Sequence, residues 1–172
     1  MKVYRAGANT RNTGANVAQG KRSLVIQVQQ IAPRTLAFLL LLLLGLQFLV
    51  GMLTNFYVEV PTTHPGANAS NYFVGVAQGV SWAAVQGSLF LLLHVWLGML
   101  VFIGSLWLLG RSIVLRDRGW IIIASLGVAG IMSAGFNGAS FMNYGHDFSS
   151  LLMSIGFLLA LVSYLVGLYL RP

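Results

Sequence analysis

The sequence has no cysteine and very little acid. Across 172 residues there is no Cys, and Asp and Glu together number 3. The absence of cysteine excludes disulfides, thiolate metal sites, iron–sulfur clusters and thiol redox relays. Charged residues make up only 8% of the chain, against roughly 25% in an ordinary soluble domain. Water is therefore not the main solvent of this chain, and its length excludes a multidomain enzyme with a separate soluble catalytic unit.

Long apolar runs take the place of the missing charge. Hydrophobic residues make up 57% of the chain, and the mean hydropathy is +0.80. A bilayer core about 30 Å thick needs about 20 apolar helical residues. Runs of that kind lie at 36–58, 79–110, 120–136 and 148–170. Because backbone groups in lipid must pair with one another, each run is predicted to be a helix. The predicted fold is all-α, an integral membrane four-helix bundle over residues 35–172.

The basic residues predict the orientation of this bundle. All 10 Lys and Arg fall on one side of a four-span topology, and none is left for the other side. By the positive-inside rule both termini are cytoplasmic, and the segments 59–78 and 137–147 face outward. We therefore expect an integral protein of a bacterial cytoplasmic membrane.

Residues 1–34 are interpreted as a basic cytoplasmic tail. Residues 1–20 carry few large apolar side chains and are expected to be disordered. Apolar positions recur at helical spacing over 23–31, which suits a short helix on the inner membrane surface, although a flexible lead-in to the first span fits equally well. The cations lack the compact stripe of a nucleic-acid surface. Anionic lipid headgroups at the inner face are the expected partner, and no nucleic acid is.

Small residues recur along the later runs at spacings of three and four. They are Gly156, Ala160, Ser163 and Gly167 in the fourth run, and Ser125, Ala129 and Ser133 in the third. Helices in lipid pack closely where small residues let their backbones approach. These seams predict a compact bundle, and they also suit association with other membrane subunits or self-association.

One group of polar residues is not explained by helix packing alone. His94 lies inside the second run, where ionisable groups are scarce and usually face the bundle interior or a wet cavity. At 1.5 Å per residue it lies about 25 Å from Arg111, in the outer part of the bilayer. The same topology brings seven more polar side chains toward this outer level: Asn55, Glu59, His64, Gln86, Asn137, His146 and Asp147.

Several ligands suit this constellation. Imidazoles and carboxylates bind divalent metals, so the candidate metal ligands are His94, His146, Asp147, His64 and Glu59. Haem b between two imidazoles, His94 with His146 or His64, is a second candidate, although His146 lies several residues outside His94. A quinone bound by His94 and Gln86 is a third. The structural alternatives are a satisfied hydrogen bond for His94 and a helix cap for Asp147.

Three short motifs occupy the outer segment: His64-Pro65-Gly66-Ala67-Asn68, Asn71-Tyr72-Phe73 and Gln78-Gly79-Val80, with His94 standing four residues before Gly98. With these motifs the chain resembles uncharacterised small four-span bacterial integral membrane proteins. The resemblance covers residues 36–170. It implies a fold but no activity.

Two functions follow from the sequence. The favoured one is a structural or accessory subunit that associates with other membrane proteins through its small-residue seams. The alternative is a membrane redox or ligand-binding protein that holds haem b, a metal ion or quinone near the outer face through His94 with His146 or His64. No serine or acid has an identifiable activating partner, so we expect a role other than catalysis.

Overall fold

The computed structural model describes residues 32–67 and 69–171, and within those ranges it contains five α-helices and no strand. The helices are α1 (Pro33–Tyr57), α2 (Tyr72–Gln86), α3 (Leu89–Val114), α4 (Arg118–Tyr144) and α5 (Asp147–Leu170). The all-helical prediction is confirmed, with one helix more than expected. The disorder predicted for 1–20 and the surface helix predicted for 23–31 lie outside the described residues.

Four of these helices, α1, α3, α4 and α5, are long and apolar enough to cross a membrane, judged by length and composition. They contain 25, 26, 27 and 24 residues, so each extends for about 36–40 Å at 1.5 Å per residue. With 15 residues, α2 extends for only about 22 Å, less than the thickness of a bilayer core.

The apolar run 79–110 is not one helix, which corrects the predicted second span. Gly87 and Ser88 are extended, with ψ angles of 161° and 160°, and they separate α2 from α3. Across this break the indole Nε1 of Trp96 donates a hydrogen bond to the Ala84 carbonyl at 3.1 Å. As a result α2 packs beside α3 and α4 instead of extending α3.

The ends of α4 explain why it is longer than the predicted 120–136. Asp117 caps its start, since Oδ1 accepts hydrogen bonds from the N–H groups of Gly119 and Trp120 at 3.1 and 3.2 Å. The helix continues to Tyr144 and stops at Gly145, whose φ of 66° is left-handed. Glycine adopts this conformation without a Cβ penalty, so it ends the helix cleanly.

The start of α5 corrects the cap predicted for Asp147. The N-cap position is His146, and no side-chain cap hydrogen bond forms there. Asp147 lies in the first turn of the helix, where a negative charge interacts favourably with the helix dipole.

The long helices pack in the order α1, α3, α4, α5, and α5 closes against α1. The backbones of α4 and α5 touch at Gly130 and Gly156: a Cβ on Gly130 would lie 2.5 Å from the Gly156 carbonyl oxygen. The fully buried Tyr164 of α5 occupies the space beside Gly127 of α4. All four members of the predicted α5 seam are buried, which confirms that seam as a packing surface.

Neighbouring helices are paired so that the start of one lies beside the end of the other. α1 and α3 run antiparallel, because the Leu40 side chain contacts the site of Gly104 while Thr54 Oγ1 donates to the Phe90 carbonyl at 3.1 Å. At the far end of α5, Arg171 pairs with Asp117 at the start of α4.

Two ends of the bundle can therefore be defined. The arginine end carries every arginine of the described residues: Arg34, Arg111, Arg116, Arg118 and Arg171. The loop end consists of the segment 58–71 and the α4–α5 junction, and it carries Glu59, His64, His146 and Asp147.

Candidate functional site

The three histidines predicted to share a site have separate sets of neighbours. His94 on α3 contacts α1, His64 in the segment 58–71 contacts α2 and α4, and His146 is exposed at the α4–α5 junction. Within the described ranges no hydrogen bond or ring contact joins two of them.

His94 forms an interhelical contact with Gln47 of α1. Gln47 Nε2 lies 3.2 Å from each ring nitrogen of His94 and donates to its backbone carbonyl at 3.2 Å. Gly51 leaves room for the ring, since a Cβ there would lie 2.9 Å from His94 Cε1. Toward the loop end, Thr54 Oγ1 adds its bond to the Phe90 carbonyl. In lipid, where no water competes, such bonds hold two helices together.

Gln47 is not among the residues predicted from the sequence, although a signal for it is present. Between Thr35 and Thr54 it is the only polar side chain of α1. A lone amide in an apolar helix needs a partner on a neighbouring helix. The contact with His94 satisfies its donor group, while its buried Oε1 has no hydrogen-bond partner among the described residues.

His64 connects the segment 58–71 to α4. Its side chain is 7% exposed, Nδ1 lies 2.6 Å from the Pro61 carbonyl oxygen, and Nε2 lies 3.0 Å from Asn143 Oδ1. The ring packs against the indole of Trp82, with centroids 4.9 Å apart. Both ring nitrogens lie beside oxygen atoms of the protein, which favours a structural role for His64.

Gly66 and Tyr144 hold the same segment against α2 and α4. Gly66 has a φ of 92°, and a Cβ on it would collide with the carbonyl oxygen of Gly75. The Tyr144 hydroxyl donates to the Ala69 carbonyl at 3.2 Å. The described part of the segment 58–71 thus covers the loop end and is held there by the buried His64 and Gly66.

Gln86 is the last residue of α2. It lines an open groove of about 510 Å³ whose lining contains no charged side chain: Pro65, Ala77, Gln78, Ser81, Trp82, Val85 and Gln86. His94 is not part of this lining. This groove therefore gives no support to the predicted pairing of His94 with Gln86 around a quinone.

The arrangement of the remaining candidates gives no support to a metal centre. Glu59, His146 and Asp147 are exposed, and the His146 ring stacks on Tyr144 with centroids 6.3 Å apart. In the part of the chain that the structure describes, no three His, Asp or Glu side chains are grouped to hold a metal ion. A haem between His94 and His146 or His64 is likewise unsupported, because each histidine has its own neighbours.

The arginine end carries five described arginines and one acidic side chain, Asp117. Asp117 Oδ1 lies 2.6 Å from Arg171 Nη1, and the two side chains are 32% and 39% exposed. Arg111 Nε is buried and has no hydrogen-bond partner within the described ranges. The other two acidic side chains, Glu59 and Asp147, lie at the loop end. This end of the bundle is therefore strongly cationic.

The outward side of α4 carries exposed small residues. We call the exposed residues at spacings of three and four the α4 outer face: Ile122, Ser125, Ala129, Met132 and Phe136. Ser125 and Ala129 belong to the seam predicted for the third run, and they are exposed, whereas Gly127 and Gly130 pack against α5. α4 is also the least apolar of the four long helices.

Comparison with family models, curated proteins and solved structures finds no match to this chain. Its class therefore rests on composition and fold. Its described residues form helices and no strand, and the four long apolar helices fit a small membrane protein.

Proposed function

We propose that the chain is an integral membrane protein that crosses a bacterial cytoplasmic membrane four times, through α1, α3, α4 and α5. The arginine end lies on the cytoplasmic side and the loop end on the outer side. Charge supports this orientation, because all described arginines lie at one end while Glu59 and Asp147 lie at the other, as the positive-inside rule requires. In this orientation α2 and the segment 58–71 form an outer cap.

Within the membrane the protein acts as an accessory subunit that binds another membrane protein, or a second copy of itself, through the α4 outer face. The observation that carries this proposal is the exposure of Ser125 and Ala129, about 10 and 16 Å along the helix from Arg118. The outward residues of the other long helices are mostly large apolar side chains. Small side chains gain little from facing lipid, whereas they let a partner helix approach closely.

The dimensions of the α4 outer face suit one partner helix. From Ile122 to Phe136 it extends for about 21 Å, or two heptads. The shallow region at Ser125 and Ala129 is flanked by large side chains. These are Ile122, Met132 and Phe136, which are 60%, 43% and 43% exposed. The Ser125 hydroxyl is available to bond a partner backbone, and interhelical bonds of this kind contribute about 0.6 kcal/mol in membranes.

Site-specific photocrosslinking in native membranes tests this proposal. A benzoylphenylalanine replaces Met132 on the α4 outer face or, as the matched control, Ile155 on the outward face of α5. Ile155 is 53% exposed and lies at a similar depth, since Gly130 opposes Gly156. We expect a discrete protein adduct from Met132→benzoylphenylalanine and none from Ile155→benzoylphenylalanine.

A second substitution shows whether close approach matters. Ala129→Leu fills the shallow region and is expected to abolish the adduct from position 132 while leaving the fold intact, because Ala129 already faces outward. Equal adducts from positions 132 and 155, or an adduct that persists in Ala129→Leu, would contradict the assignment of the α4 outer face as the interface.

A further inference from the structure

The turn that joins α3 to α4 is a Schellman motif with arginine where glycine is usual. Arg116 follows the C-cap Leu115 with a φ of 55°. Its N–H donates to the Ile113 carbonyl at 3.0 Å, and the Asp117 N–H donates to the Ser112 carbonyl at 3.2 Å. The left-handed region disfavours any residue with a Cβ, so glycine would fit this position better. Strain of this kind motivates a role for the Arg116 side chain.

The cations around this turn have no acidic side chain left to pair with. Asp117 is the one acid at the arginine end, and its Oδ1 already accepts from Arg171 and from two backbone N–H groups of α4. The remaining acids of the sequence, Glu59 and Asp147, lie at the loop end. Among the described residues, four arginines therefore form no ion pair with a carboxylate: Arg34, Arg111, Arg116 and Arg118.

One of these cations, Arg111, lies at the surface of the bundle beside α1. It follows Gly104 by one heptad, and Gly104 contacts Leu40 of α1, so Arg111 lies on the same side of α3, level with the first turn of α1 and with Arg34. Its Nε is buried without a hydrogen-bond partner in the described part of the chain. Because the residue as a whole is only partly buried, an anion outside the chain can still approach this guanidinium group and stabilise its charge.

We infer that the arginine end binds the phosphate of an anionic phospholipid headgroup through Arg111 and Arg116. Trp107 and Tyr169, which are 42% and 85% exposed, lie near the same end, and aromatic side chains mark the headgroup level in membrane proteins. The guanidinium fork matches phosphate oxygens in two-point hydrogen bonds. Anionic headgroups supply such phosphates in the inner leaflet. The inference rests on the proposed membrane location but not on a partner at the α4 outer face.

The strained position of Arg116 allows a test in which fold stability and lipid binding change in opposite directions. The full chain, purified in mild detergent, is mixed with equal amounts of phosphatidylglycerol and phosphatidylcholine, and retained lipid is measured by native mass spectrometry. We expect the wild type to retain phosphatidylglycerol in preference to phosphatidylcholine. Arg116→Gly should bind phosphatidylglycerol about fivefold more weakly and should raise Tm by about 2–4 °C, because glycine relieves the backbone strain.

Two further variants complete the design. Arg116→Lys keeps the charge and the strained backbone but loses the guanidinium fork, so Tm should stay near that of the wild type while phosphatidylglycerol retention falls by less than in Arg116→Gly. Arg111→Gln should weaken retention by a similar factor. If that variant does not fold, Arg116→Gly still decides the question, because its expected rise in Tm shows that the fold is intact.

Three results would overturn the inference. Equal retention of the two lipids by the wild type would remove the preference for an anionic headgroup. Unchanged phosphatidylglycerol retention in Arg116→Gly would remove the role of the arginine. Displacement of phosphatidylglycerol by an equal concentration of soluble glycerol phosphate would assign the site to a free anion instead of a lipid. None of these results bears on the crosslink from the α4 outer face, so the two proposals fail separately.

Discussion

Replacing Gly156 by alanine is expected to separate α4 from α5 and to destabilise the bundle. A Cβ at this position would lie 2.6 Å from the Gly130 carbonyl oxygen and 2.7 Å from the Ala134 nitrogen. Both are backbone atoms of a packed helix, so no flexible side chain can move aside. The substitution therefore has to displace one helix from the other.

The size of the effect follows from these distances. Unstrained contacts lie at about 3.5 Å or more, so the helices must move apart by about 1 Å locally. A gap of that size forfeits a quarter to a half of the dispersion energy at each affected contact. Together with the usual cost of overpacking, the free energy of unfolding should fall by about 1–3 kcal/mol.

Gly45→Ala is the matched control for this prediction. Gly45 is exposed in the middle of α1, and a Cβ there would have no atom within 4 Å. The same chemical change should therefore leave stability unchanged or raise it slightly, because alanine favours the helix. Reversible unfolding in mixed detergent micelles, followed by circular dichroism, measures both variants. Equal stability of Gly156→Ala and Gly45→Ala would refute the packing argument.

Three other outcomes are expected. Asp117→Ala should lower Tm more than Arg171→Ala. Both variants lose the partly exposed ion pair, which contributes less than about 1 kcal/mol, but only Asp117→Ala also loses the helix cap, which costs about 1 kcal/mol in addition. Equal losses in thermal unfolding would contradict the role of the cap. Gly66→Ala should release the outer cap and speed hydrogen exchange over 58–71, and unchanged exchange would show that the left-handed glycine is dispensable. Protein purified from haem- and metal-replete cells should show no Soret band and no stoichiometric metal; a Soret band that disappears in His94→Ala would contradict the separation of the histidines.

The sequence predicts most of the helical content because the signal for it is strong. Runs of apolar residues long enough to cross a bilayer need no tertiary information, and three of the four predicted runs correspond to single helices. The grouping of all described arginines at one end follows from the same pattern. The seam around Gly156 was also predictable, since small residues at spacings of three and four mark close helix contacts.

The break at Gly87 and Ser88 was harder to predict, because no charge interrupts the apolar run 79–110. Its local signal is a glycine followed by serine, a residue favoured at helix starts, directly before Leu89. Glycine and serine are both tolerated inside a membrane helix, so the sequence alone does not distinguish a kinked span from two helices.

The orientation of α4 could not be derived from its sequence. Small residues lie on two of its sides, Gly127 and Gly130 on one and Ser125 and Ala129 on the other. Only packing against Tyr164 and Gly156 decides which side is buried. For the same reason the α4 outer face emerges from the structure and not from the pattern.

The histidine constellation illustrates the difference between depth and position around a bundle. Counting residues along a helix gives the depth of His94, and the topology brings His64 and His146 to the loop end. Neither method gives the lateral position of a side chain. His64 lies within the outer cap and His94 contacts α1, so residues at related depths do not form one site.

The orientation of the four spans is the central claim, and thiol labelling in intact cells tests it most directly. Because the chain has no cysteine, Thr63→Cys and Leu115→Cys each introduce a single thiol, at the loop end and the arginine end respectively. Both positions are exposed. With a membrane-impermeant maleimide, Thr63→Cys should label in intact cells and Leu115→Cys only after the membrane is permeabilised. Labelling of Leu115→Cys from outside, or of both variants alike, would contradict the proposed topology.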